Sequence, residues 1–157
     1  YLIPLFMKKI LFASLACAFL LSCNRDNDDD NSSSSSVVGK WKITKYLTIS
    51  GKDKTTILDS ETNSGCEASD SFEFKSDKTY IFNYYDDSTG SCKLTDTLNG
   101  TYSYNSSTKI LSIIDNGTTE NNEIFKITNS EMQIITDTDD YNNDGVLDME
   151  IAVLTKQ

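Results

Sequence analysis

The 157-residue chain contains no histidine, and its single proline is Pro4. Without histidine it lacks the side chain most often used as a general base near neutral pH. There is no G-x-S-x-G, no phosphate-binding glycine loop and no thiol beside a base. The acids offer many pairings, yet no motif singles out a catalytic pair, so the chain reads as a non-enzyme. Basic residues are scarce as well, 14 Lys and Arg against 24 Asp and Glu, for a formal net charge of −10. A polyanion such as a nucleic acid is a poor partner for that surface. Residues 37–157 lack proline and show no sustained helical apolar period, which argues against a helical bundle. The length suits one domain and a leader.

The long apolar run lies at the start. From Met7 the chain reads M-K-K-I-L-F-A-S-L-A-C-A-F-L-L-S-C: two lysines, an apolar stretch from Ile10 to Leu21, then Ser22 and Cys23. That stretch is too short to span a bilayer and has the layout of a secretory signal. Leu20-Leu21-Ser22-Cys23 resembles the lipobox of bacterial lipoproteins, which implies cleavage before Cys23 and a diacylglycerol on its thiol. Residues 1–22 are thus read as the signal peptide, with 1–6 upstream of the true start. Cleavage removes Lys8 and Lys9 and no acid, leaving the remainder more acidic than the whole. Residues 23–36 are the lipidated cysteine and an acidic, serine-rich linker with nothing to bury. The acids just after Cys23 resemble the surface-export signal of Bacteroidetes lipoproteins, and a plain solvated linker fits equally well. The expected address is the outer membrane, on its periplasmic face or at the cell surface.

Of the four cysteines, Cys17 departs with the leader and Cys23 takes the lipid. Cys66 and Cys92 remain in an oxidising compartment and are expected to be bridged.

Short alternating apolar and polar runs predict eight strands, at about 40–49, 70–76, 79–86, 93–105, 109–115, 122–128, 131–138 and 146–155. Only 50–69 is long, with a brief helical turn expected at 55–59. Sequential strands with short turns cannot be parallel, because parallel neighbours need long crossovers. The expected fold is therefore all-β, an eight-stranded antiparallel up-and-down barrel over residues 37–157, since closure removes exposed edges. One ambiguity stays open: Leu98-Asn99-Gly100-Thr101 reads either as a bulge or as a hairpin turn, and a ninth strand there reverses the ends at which later loops lie.

Gly39-Lys40-Trp41, opening the first strand, is similar to the G-x-W signature of lipocalins. Together with the leader, F-x-F-K-S-D-K-T-Y-x-F from Phe72 to Phe82, Gly100-Thr101-Tyr102 and the terminal acidic loop, it resembles the lipocalin-like domain lipoproteins of Bacteroidetes. The resemblance implies a barrel whose closed end is plugged by Trp41 under a basic residue of the last strand, for which Lys156 stands in the right place. It also implies a small apolar or amphiphilic ligand. Phe72, Phe74, Tyr80, Phe82, Tyr84, Tyr102 and Tyr104 alternate along strands and either line a cavity or fill the core. A filled barrel acting by its surface, as an adhesion or interaction module, is the competing reading. Either way the protein reads as a monomer.

Asp140, Asn142 and Asp144 followed by Gly145 give D-x-N-x-D-G, with oxygens alternating as a hard cation requires. Val146 offers a carbonyl at the seventh position and Asp148 a carboxylate at the ninth. The twelfth is Ile151 rather than glutamate, and strands flank the loop, so this is no EF-hand. It resembles isolated calcium loops of extracellular bacterial domains. The two readings are a weak Ca2+ site, roughly 0.1–1 mM, and an acidic turn facing water.

Overall fold

The alternation that suggests strands persists in the structure, a computed structural model describing residues 36–157. The nine strands are β1 (Gly39–Ile49), β2 (Ile57–Thr62), β3 (Ser71–Phe74), β4 (Thr79–Asp86), β5 (Lys93–Asn105), β6 (Ile110–Asp115), β7 (Thr118–Ile127), β8 (Glu131–Asp139) and β9 (Asp148–Lys156). All neighbouring pairs are antiparallel, and β9 returns to pair with β1, closing the ladder into a ring. The signal peptide, Cys23 and the linker up to residue 35 lie outside the described residues.

The count of nine conceals eight staves. β2 and β3 both run along the same edge of β1, β2 opposite Lys45 to Ile49 and β3 opposite Gly39 to Trp41. The second stave is thus one strand interrupted by residues 63–70, which hold a 3-10 turn at Glu67–Ser69. This corrects the helical turn expected at 55–59. Ile57–Thr62 has no alternating apolar pattern and all six residues are exposed, so the free backbone edge of β1 recruits it rather than a buried face.

Gly100 resolves the other ambiguity. β5 is continuous through it, paired with β4 at Tyr80 and followed by pairing with β6 from Thr101. A Cβ at Gly100 would lie 2.2 Å from the Ile114 carbonyl oxygen and 2.6 Å from the Tyr80 ring. The glycine serves close approach of neighbouring strands, not a reversal. Gly100→Ala is expected to destabilise by about 1–3 kcal/mol through overpacking, measurable as a lower urea midpoint at unchanged slope.

Alternation sorts the interior. Trp41, Phe74, Leu111, Ile124, Met132 and Leu154 are fully buried and form one core within the ring. The opposite face of β1 and β9 carries a second buried cluster, Leu47, Ile49, Met149, Ile151 and Val153. Because β1 begins at the end where Trp41 lies, strand parity puts 50–56, 87–92, 116–117 and 140–147 at the other end, the rim.

Candidate functional site

At the closed end, Trp41 and Lys156 are ladder partners, and the Lys156 ammonium lies 5.1 Å from the centre of the indole ring. The indole N–H donates to the Val37 carbonyl at 2.8 Å. Gly39, at φ 139°, leaves the room that the Lys156 side chain occupies. Tyr102 also belongs to this end: its hydroxyl donates to the Lys75 carbonyl at 2.7 Å and its ring meets Phe74 edge-on at 5.0 Å.

Above this plug the barrel holds a cavity of about 330 Å³. One wall is aromatic, from Phe72 and Phe74 on β3 and Tyr80 and Phe82 on β4. These are cross-strand pairs, Phe72 opposite Phe82 and Phe74 opposite Tyr80, with the first pair stacked at 4.4 Å. The remaining apolar wall is aliphatic, from Ile43, Leu98, Ile113, Ile134, Ala152 and Leu154. Polar side chains enter from β7 and β8, namely Glu120, Asn122 and Thr136. Of the aromatics expected at a cavity, three do not line it. Tyr102 packs into the plug, Tyr104 lies against the core, and Tyr84 is 39% exposed. Parity tells which face a residue occupies; it does not tell the height along the barrel.

The polar wall had no signal in the sequence. β7 starts at Thr118 rather than 122, so Glu120 joins Asn122 on a strand instead of lying in the connection before it. They share the inward face of Ile124. Burial raises the Tyr80 hydroxyl pKa, and the charges of Asp115 and Glu120 raise it further. A second concavity, about 320 Å³, is lined by Tyr46, Thr48, Asp59, Glu61 and Glu150 on β1, β2 and β9. Burial also raises the Tyr46 pKa, followed by the charges of Glu67, Asp70, Glu150 and Glu61.

Cys66 and Cys92 are joined, with Cα atoms 5.3 Å apart. Cys66 sits in the interruption of the second stave rather than in a rim loop, so the bridge ties that interruption to the β4–β5 connection. Asp70 reinforces the junction by accepting the Tyr85 backbone N–H at 2.7 Å. Partial burial raises the Asp70 pKa, opposed by that hydrogen bond and aided by Glu67. A carboxyl whose folded pKa exceeds its unfolded value favours folding below the unfolded value, about 4, and loses that contribution as pH rises through the folded one. Asp70→Asn keeps an acceptor for Tyr85, so its thermal midpoint relative to wild type is expected to increase from pH 3 to pH 7.

The acidic loop is a tight, self-bonded turn. Asp140 accepts the N–H groups of Asp144 and Gly145, each at 2.9 Å, and Asn142 accepts that of Asp144 at 3.0 Å. Asp144 accepts the Val146 N–H at 3.0 Å and pairs with the Lys52 ammonium at 3.0 Å, a contact that lowers its pKa. Gly145 has φ 83°. Asp148 is fully buried: one oxygen accepts the Gly51 N–H at 3.0 Å and the other has no protein partner. Among the described residues, no three acidic or cysteine side chains converge as a metal cluster. The ammonium of Lys52 is the cation at Asp144.

Comparison with known proteins adds a family. The family model described as a lipocalin-like domain matches residues 37–134. Among solved structures, a lipocalin-like protein from Bacteroides uniformis is 15% identical, with a TM-score of 0.46, covering 76% of this chain and 97% of that one. No curated protein matches the sequence.

Proposed function

The chain belongs to the lipocalin-like domain family, and on that premise we propose that its barrel binds one small apolar or amphiphilic molecule, as a monomer and without catalysis. The carrying observation is the cavity of about 330 Å³ between the Trp41 plug and the rim, with an aromatic wall and an aliphatic wall. That volume lies at the lower end of small-molecule sites. It favours a ligand carrier over a filled barrel that acts by its surface. Titration with an uncharged solvatochromic dye tests the reading. Saturable one-to-one binding with a rise in the thermal midpoint is expected; a non-saturating signal without stabilisation would return the barrel to the surface-acting class.

The leader extends the proposal to location. Cys23 is the proposed lipid attachment point, tethering the barrel through 24–36 to the outer membrane, on its periplasmic face or outside. Cys23→Ala is expected to move the protein from the membrane fraction to the soluble one. An unchanged membrane share would remove the anchor from the account.

Calcium at the 140–148 loop is a second proposal, favoured by the unpartnered oxygen of buried Asp148 and opposed by Lys52 on Asp144. Under this reading Lys52→Met frees Asp144 and tightens Ca2+ binding, whereas no calorimetric signal at about 5 mM Ca2+, well above the range of such sites, in either protein would dismiss it.

A further inference from the structure

Three inward faces show the same order from plug to rim. On β6 it is Leu111, Ile113, Asp115; on β7 Ile124, Asn122, Glu120; on β9 Leu154, Ala152, Glu150. Each runs from a buried apolar residue to a carboxylate over four residues, roughly 13 Å. The ladder aligns two of these series, with Ile113 opposite Glu120 and Leu111 opposite Asn122. Asp59 and Glu61 on β2 face Thr48 and Tyr46 of β1 and line the second concavity together with Glu150. On β9, Ala152 lines the first concavity and Glu150, two residues nearer the rim, lines the second. Asp115 and Glu150 therefore stand above the apolar pocket, while Glu120, level with Ile113, stands in its wall.

No lysine or arginine lines either concavity. The ion pairs among the described residues are Lys52–Asp144 and Lys126–Glu131, so Asp115, Glu120, Glu61 and Glu150 face the mouth without a cationic partner. Resting on the ligand-binding reading above, we propose that the barrel selects amphiphiles with a cationic head, the apolar body lying against Phe72 and Phe82 and the head beside Glu120. An anionic amphiphile of the same length places like charge against these carboxylates, a repulsion that is strongest at low ionic strength, where screening is weak. A cation there gains attraction and offsets the mutual repulsion of the acids. Glu120 is the charged residue in the wall of the apolar cavity itself, which makes it the specificity-determining residue.

The test uses the purified protein at pH 7 and displaces an uncharged dye with decylammonium, decanol and decanoate. At about 20 mM salt, where charges reach across roughly 20 Å, decylammonium is expected to bind at least about 10-fold more tightly than decanoate, with decanol between them. In about 0.5 M salt the gap narrows to a few-fold as screening shortens that reach. Glu120→Gln, which keeps the side chain's size and removes its charge, reduces decylammonium affinity several-fold more than decanol affinity. Decanoate binding as tightly as decylammonium while decanol binds overturns the charge selection and leaves the ligand-binding reading standing. Loss of decanol and decylammonium affinity alike in Glu120→Gln overturns the role of Glu120. Failure of the dye and all three probes to bind overturns both readings.

Discussion

Trp41→Ala is expected to lower the unfolding free energy by about 3–5 kcal/mol, as aromatic truncations in packed cores do. Against a typical total of about 5–15 kcal/mol, that is a large share of the stability. The indole is fully buried, so removing it opens a void at the floor of the barrel rather than trimming a surface. Two further losses accompany the void. The Val37 carbonyl loses its 2.8 Å donor, and the Lys156 ammonium loses the ring beneath it. Trp41→Phe restores most of the volume but not the donor, so its cost is expected to be well under half that of the alanine. Urea unfolding followed by far-ultraviolet circular dichroism reads both. Equal costs for the two variants would show that the hydrogen bond, and not packing, governs the plug.

Removing the bridge by Cys66→Ser with Cys92→Ser is expected to cost about 3–4 kcal/mol in the chain-entropy account, given a sequence separation of 26. The effect has a local component, because the bridge anchors the interruption between β2 and β3 to the β4–β5 connection. Without it the 3-10 turn and the Asp70–Tyr85 hydrogen bond lose the link that holds them against the β4–β5 connection. Hydrogen exchange is therefore expected to accelerate first in 57–74 and 84–94, before the staves that flank β9. A reductant should lower the stability of the wild type and leave the double variant unchanged. Uniform acceleration over all strands would assign the bridge a purely global role.

Alternation made most of the fold legible because inward positions on one stave are apolar and their neighbours are not. The order of the strands likewise puts Lys156, on the last, beside Trp41, on the first. The failures share a cause. β2 is held by the backbone edge of β1, and its exposed side chains carry no pattern. Gly100 lies in the strand expected over 93–105 and left a turn open only because a glycine required by a close neighbouring strand has the same letter as one required by a reversal. Glu120 and Asn122 are inward-facing yet polar, so in the sequence Glu120 is indistinguishable from the turn that precedes it and Asn122 from an outward-facing strand residue. Those two residues are the chemically informative part of the cavity. A site that departs from the apolar rule of the interior is hidden by that departure.

Placement of the ligand inside the barrel is tested most directly by comparing two tryptophan substitutions one strand apart. Leu98 on β5 lines the cavity and Ile114 on β6 faces away from it, and both are 39% exposed. Leu98→Trp puts an indole into the space the ligand would fill, while Ile114→Trp adds the same group outside. Uncharged-dye titrations are expected to show at least about a 10-fold loss of affinity for Leu98→Trp, or about 1.4 kcal/mol, and no change for Ile114→Trp. Equal affinity in both variants and the wild type would contradict binding within the barrel.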